Sequence, residues 1–224
     1  MNSPVFDPMQ AQIDALASEA PVPASRLVPD WLRSRFREPP SWSPEFSIDL
    51  AWDVSGRPLV PAAVLVPLVV REEGLTLLLT LRTSHLHDHA GQISFPGGRV
   101  DPEDSDAIAT ALRETEEEIG LARRHIEVIG TLPEYQTGTG FSVTPVAALV
   151  HPPFDLAADE FEVAEIFEVP LAYLMNGENH ERRSAVFPNR TERRSFYAMP
   201  FEQYFIWGAT AAMLRNLYHF LRAD

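Results

Sequence analysis

Residues 97–121 read Gly97-Gly-Arg-Val-Asp-Pro-Glu-Asp-Ser-Asp-Ala-Ile-Ala-Thr-Ala-Leu-Arg-Glu-Thr-Glu-Glu-Glu-Ile-Gly-Leu121, and the rest of the chain is organised around them. A glycine pair opens the stretch and a proline-marked turn follows. Asp104 or Ser105 is then expected as the N-cap of a helix. Ala107, Ile108, Ala111, Leu112, Thr115 and Ile119 line one side of that helix, and Gly120 supplies its stop. At about 100° per residue, Glu114, Glu117 and Glu118 fall within an arc of about 100°, and Glu116 falls well outside it. Like charges so placed weaken a helix by roughly a few tenths of a kcal/mol per pair. A solvated acidic face is the plain reading. The glycine pair and Arg113 at fixed offsets favour another: hard oxygen ligands at this density suit magnesium or manganese.

These residues resemble the Nudix box, Gly-x5-Glu-x7-Arg-Glu-apolar-x-Glu-Glu-x-Gly-apolar. Arg113, Glu114, Glu117, Glu118, Gly120 and Leu121 match its second half. Two places depart from it. Thr115 stands where an apolar residue is usual, and the interval from Gly98 to Arg113 is one residue longer than the box allows. Asp104 keeps the expected distance from Gly98. The resemblance implies an α/β/α sandwich with a mixed β-sheet, in which the box forms a loop–helix–loop.

A second resemblance covers residues 78–98, Leu-Leu-Thr-Leu-Arg-Thr-Ser-His-Leu-His-Asp-His-Ala-Gly-Gln-Ile-Ser-Phe-Pro-Gly-Gly. It is similar to the motif that precedes the box in the coenzyme A pyrophosphatase branch of the family. Leu78, Leu79, Thr80, Arg82, Gly91, Phe95, Pro96, Gly97 and Gly98 match, Thr83 replaces a small residue, and His87 replaces an arginine. The closing segment from Gln203 to Ala211 also resembles that branch, so the likeness runs through residues 61–221. It implies Arg82, His87 and Phe95 as substrate-binding residues. A histidine holds a phosphate only when protonated.

Composition sets the bounds. The chain has 224 residues, 45% hydrophobic and 22% charged, which suits one globular domain with additions. It has no cysteine, so no disulfide framework and no thiolate metal site is possible. Every basic residue is arginine, and the formal charge is −14, which argues against nucleic-acid and anionic-membrane partners. No signal peptide and no membrane-spanning apolar run is visible, so a cytoplasmic enzyme is expected.

Along the chain, residues 1–45 read as an extension with helices over 9–20 and 25–36, interrupted and followed by prolines. Two readings of it stand: a flap or homodimer arm, and a helical collar packed on the core. Residues 41–58 read as a linker, and residues 58–222 as the catalytic domain. Strands are expected over 62–70, 75–81, 93–95, 126–132, 143–150 and 162–169, with short ones over 185–187 and 196–199. Pro145 suggests that its strand is an edge or carries a bulge. A short helix is expected from Pro170 and a closing helix over 207–221. The polar segment 82–90 reads as a loop. Its His85, His87 and His89 suit either a substrate loop or a transition-metal site.

The expected chemistry is hydrolysis of a diphosphate with magnesium or manganese, held by Glu114, Glu117 and Glu118, with the Gly97 carbonyl as a ligand the resemblance implies. Arg113, one turn from Glu117, orients it by an ion pair. The general base is sought among Glu160, Glu162 and Glu165, with Glu162 put first. The resemblance implies a small-molecule nucleotide substrate of the coenzyme A class. The rival readings are another nucleotide (NADH, ADP-ribose, a nucleoside triphosphate), a nucleotide-binding regulator without catalysis, and an isomerase on the same fold.

Overall fold

The computed structural model describes residues 7–45, 58–85, 91–186 and 193–224. In chain order its strands and helices are β1 (Gln12–Leu16), α1 (Pro29–Arg37), β2 (Val60–Arg71), β3 (Gly74–Arg82), β4 (Ile93–Ser94), β5 (Gly97–Arg99), α2 (Ala107–Ile119) and β6 (Ile126–Thr131). There follow β7 (Tyr135–Gln136), β8 (Phe141–Val150), β9 (Val163–Pro170), α3 (Leu171–Leu174), β10 (Glu181–Val186), β11 (Arg193–Phe201), β12 (Tyr204–Trp207) and α4 (Gly208–Arg222).

The main sheet is mixed. β2 and β8 run parallel at its centre, β6 borders β8, and β3 borders β2 with β9 beyond it. The β2–β3 ladder spans only Leu68–Arg71 of β2, pairing with Gly74 to Leu77. Past it the chain from Ile93 to Arg99 takes over, β4 pairing with β3 at Thr80 and Leu81, and β5 with β2 at Ala62 to Val64. The glycine pair therefore sits inside the sheet.

α2 covers one face. Ala111 packs with Ala63, Leu65, Val146 and Ala148, while Ile119 and Leu121 pack with Val69, Leu78 and Val150. The other face carries Val66, Leu68, Leu77 and Leu79 and is covered by α4 through Leu214, Leu217 and Leu221, with Leu32 of α1 in the same cluster. This is the expected α/β/α sandwich. A second antiparallel sheet, ordered β1-β10-β11-β12, lies with α4.

Three local expectations are corrected. Residues 9–20 form no α-helix: after a turn of 3-10 helix at Pro8–Gln10, β1 pairs with β10 from Gln12↔Ser184 to Leu16↔Glu181. Ile13 and Leu16 are three apart, which mimics a helical stripe, but the neighbouring strand supplies hydrogen bonds that override local preference. The helix at 25–36 starts later, at Pro29, after a turn of 3-10 helix at Ala24–Arg26. Pro145 lies in a central strand, not at an edge. Its carbonyl accepts from Leu132 N–H (3.0 Å), so its nitrogen faces that same flank. There β6 has ended, at Thr131↔Val146, and β7 begins only at Tyr135↔Val143. No ladder bond is asked of the proline.

Residues 7–45 are built into the fold. Leu32 is fully buried. Gly130 has a φ of +159°, and a Cβ there would meet the Phe36 ring at 2.6 Å. The linker residues 46–57 and the histidines at 87 and 89 lie outside the described residues.

Candidate active site

α2 is capped by Asp106, whose carboxylate accepts the Ala109 N–H at 2.8 Å. That corrects the expected cap at Asp104 or Ser105. The helix ends at Gly120 in the left-handed region (φ +67°), with its N–H on the Glu116 carbonyl. Thr115 takes the apolar position without cost to polar pairing: it is buried, and its hydroxyl donates to the Ala111 carbonyl at 2.6 Å.

Asp104 is occupied elsewhere. Both its oxygens take the Arg113 fork, at 3.0 Å from Nε and 2.8 Å from Nη2, and it also accepts from Asp101 N–H and the Thr110 hydroxyl. The Arg113 guanidinium beside it holds its carboxyl well below the usual range. Arg113 in turn donates to Glu114 (2.8 Å), Glu117 (3.0 Å) and the Arg99 carbonyl (3.2 Å). The expected Arg113–Glu117 pair is thus present as one arm of a larger clamp. The Asp101-Pro-Glu-Asp turn carried the missing partner: a turn carboxylate nine residues before an arginine.

The glycine pair is explained by close approach. At Gly97, with φ +153°, a Cβ would meet the Ala63 carbonyl oxygen at 2.4 Å. At Gly98 it would meet the Glu114 carboxyl at 2.5 Å. The first glycine fits the sheet; the second leaves room for a carboxylate against the backbone.

Glu118 is 5% exposed. One oxygen accepts the Gly97 N–H at 3.1 Å, and the other lies 3.5 Å from Arg82 Nη1. Burial pushes its carboxyl up to about 7; the Gly97 N–H and Arg82 oppose this, and the charges of Glu162 and Glu114 add to it. Burial also raises Glu114, against the hydrogen bond from Arg113. Glu162 joins this group through Arg82, whose Nη2 lies 3.5 Å from it.

The other predicted residues separate. Glu165 leaves the group: it accepts from the Tyr204 hydroxyl at 2.5 Å, and Phe167, two residues on, stacks on the Tyr204 ring. Alternation along β9 puts both on the α4 side of the sheet. Glu160 is exposed in the turn before β9. Phe95 is 3% exposed in the main core, so it seats the glycine pair and offers no free surface to a substrate. His85 is exposed and packs on Phe161.

Whether this chemistry fits a cation is answered by the donors. The second glycine makes room for Glu114, and Glu118 carries a carboxyl pushed toward neutrality by burial and by two neighbours of its own sign. Carboxylates with this unbalanced charge suit a hard divalent ion. Among the described residues no three acidic or histidine side chains converge into a finished cage. Glu117 is turned to Arg113, and Glu118 toward Gly97 and Arg82.

The family model for the NUDIX domain matches residues 59–189, more than half of the chain. The chain belongs to the Nudix family. It is 45% identical, over 70% of its own length and 80% of the relative's, to NudL of Escherichia coli K12, described as an uncharacterized Nudix hydrolase. Among solved structures, this Nudix chain is similar to a Caenorhabditis elegans Ap4A hydrolase complex, with 22% identity over 49% of this chain and 80% of the other, and a TM-score of 0.43. A MutT/nudix family protein from Enterococcus faecalis aligns over 79% of this chain and 63% of its own, with 18% identity and a TM-score of 0.45. No helix among the described residues of this Nudix protein is long and apolar enough to cross a membrane.

Proposed function

We propose that this chain hydrolyses the diphosphate of coenzyme A or an acyl-coenzyme A, releasing 3′,5′-ADP and (acyl-)4′-phosphopantetheine. As a Nudix hydrolase it cleaves a diphosphate bond. The finer reading is supported by one observation: the segment from Leu78 to Gly98, which resembles the coenzyme A motif, meets the carboxylates of α2 through Arg82 and Gly97.

Glu114, Glu117 and Glu118, with the Gly97 carbonyl, hold magnesium or manganese. When bound, the ion offsets the diphosphate's charge and lowers the pKa of a water. Asp104 fixes the Arg113 fork, and Arg113 holds the Glu114 and Glu117 carboxylates together on one side of α2. Arg82 exchanges its long contacts with Glu118 and Glu162 for a substrate phosphate, where its planar fork fits two oxygens. Glu162, so released, accepts the proton of the water that attacks phosphorus as the P–O–P bridge breaks.

A second reading, another nucleoside diphosphate derivative such as NADH or ADP-ribose, rests on His87 in place of an arginine. Purified protein with magnesium and a panel of diphosphates, its products identified by mass, separates the two. Coenzyme A should give 3′,5′-ADP at the highest kcat/KM; faster turnover of NADH or ADP-ribose would overturn the first reading.

A further inference from the structure

Phe161 is 66% exposed, more than any other large hydrophobic side chain among the described residues. A single exposed apolar residue is ordinary on a protein surface. This one differs in how and where it is held. Its N–H donates to the Asp159 carboxylate at 2.9 Å, and its carbonyl accepts the Thr83 hydroxyl at 2.8 Å. The same turn is tied to the end of α2, Asp159 N–H to the Glu118 carbonyl at 2.8 Å, and to the end of β3, Thr83 N–H to the Glu162 carbonyl at 3.0 Å. The backbone on both sides of the ring is thus fixed to residues adjoining or belonging to the carboxylate group. Glu162, the next residue, reaches Arg82. The ring is backed by His85, centroids 4.9 Å apart and planes tilted by 60°.

We propose that Phe161, buttressed by His85, is an aromatic platform that stacks on the nucleobase of the substrate. The proposal rests on the nucleotide reading of this site, though not on coenzyme A in particular. An aromatic face held by a locked turn gives up little freedom on binding. It also needs no charge, which matters in a chain of formal charge −14 that must take an anion. Base–aromatic stacking tolerates any base, since each has a π face.

The test uses the intact protein with magnesium and the best-turned-over nucleotide of the panel. Two competitive inhibitors are compared: AMP, which carries a base, and imidodiphosphate, which does not. In Phe161→Ala, KM for the nucleotide and Ki for AMP should each rise about tenfold or more. Its kcat should stay within about twofold, and its Ki for imidodiphosphate should not move. Phe161→Trp should restore both constants, and its added indole emission should be quenched by AMP. An unchanged Ki for AMP overturns the proposal. So does an equal rise for imidodiphosphate, which would mark a distorted turn. A panel in which coenzyme A is not cleaved defeats the coenzyme A reading and leaves this test standing.

Discussion

Arg215 on α4 and Glu118 on α2 are both nearly buried charges, and their surroundings treat them differently. Arg215, 4% exposed, donates to Glu45 (2.9 and 3.1 Å), Glu19 (2.5 Å) and His180 Nδ1 (3.1 Å), and lies over the Tyr197 ring at 4.7 Å. His180 gives its other ring nitrogen to the Leu174 carbonyl, which leaves Nδ1 free to accept from the arginine. Burial pushes the Glu45 carboxyl up, but the hydrogen bonds from His219 and Tyr197 and the charge of Arg215 hold it at about 2. Around Glu118 the balance runs the other way: one cation at 3.5 Å faces a group of carboxylates, and burial wins. A charge cluster that closes on itself fastens segments together. One left short of positive charge is prepared to take it from outside. The difference lies in the donors: around Glu45 a tyrosine and a histidine add hydrogen bonds to the arginine, whereas Glu118 has one long arginine contact and one backbone N–H.

Glu118→Gln should break the α2 side of the comparison with the largest effect. Losing a charged ligand of this kind costs several kcal/mol of transition-state stabilisation, so kcat should fall on the order of 10³-fold. At pH 8 the metal-free variant should unfold at no lower urea than the unsubstituted protein, because the ionised carboxylate is itself a burden there. A kcat near that of the unsubstituted protein would remove Glu118 from the chemistry.

Arg215→Met breaks the other side. It leaves Glu19 and Glu45 without their shared cation, and by analogy with broken buried pairs should cost about 3–5 kcal/mol, read from the urea midpoint. Its kcat, per folded molecule, should change less than twofold. A stable Arg215→Met with lost activity would reverse the roles assigned to the two clusters.

The smallest effect sharpens the Arg215 cluster, the hub that joins Glu19, Glu45 and His180 to α4. Burial lowers His180 to about 4, against its hydrogen bond to Leu174 and with help from the Arg215 charge. Its ordinary value is 6.5. Between these values the unfolded chain binds more protons than the folded one, so stability is full above pH 6.5 and falls as pH drops toward 4. The loss is up to about 3 kcal/mol from this residue. Urea unfolding at pH 7.5 and pH 4.5 should show the drop, and His180→Gln should flatten it in this window.

The box helix was legible because its signals are local: an apolar stripe, a glycine stop and three carboxylates within an arc. The central strands were legible through their valine runs. What stayed hidden depends on distant partners. β1 is strand only because β10 lies beside it, and Pro145 is harmless only because β6 and β7 leave a gap. Which of three turn aspartates caps the helix depends on Arg113 having taken Asp104. In the site, Glu162 lies beside Arg82, while Glu165 is taken by the Tyr204 hydroxyl. Strand alternation could have excluded Glu165 once Phe167 was assigned to the core. Phe95 reads equally as substrate contact and as core, and only burial separates them.

The hub has a consequence for how the chain is made. Glu45 and Arg215 are 170 residues apart in sequence. At about 5–20 residues per second, that interval takes on the order of 10–30 s of synthesis. The segment bearing Ile13 and Leu16 leaves the ribosome before β10 or α4 exists to receive it. Its docking belongs to the end of maturation, after the catalytic sheet can already have collapsed around the box helix. A ribosome stalled before α4 would therefore display a chain with one face of its main sheet uncovered and the segment bearing Ile13 and Leu16 still unclasped.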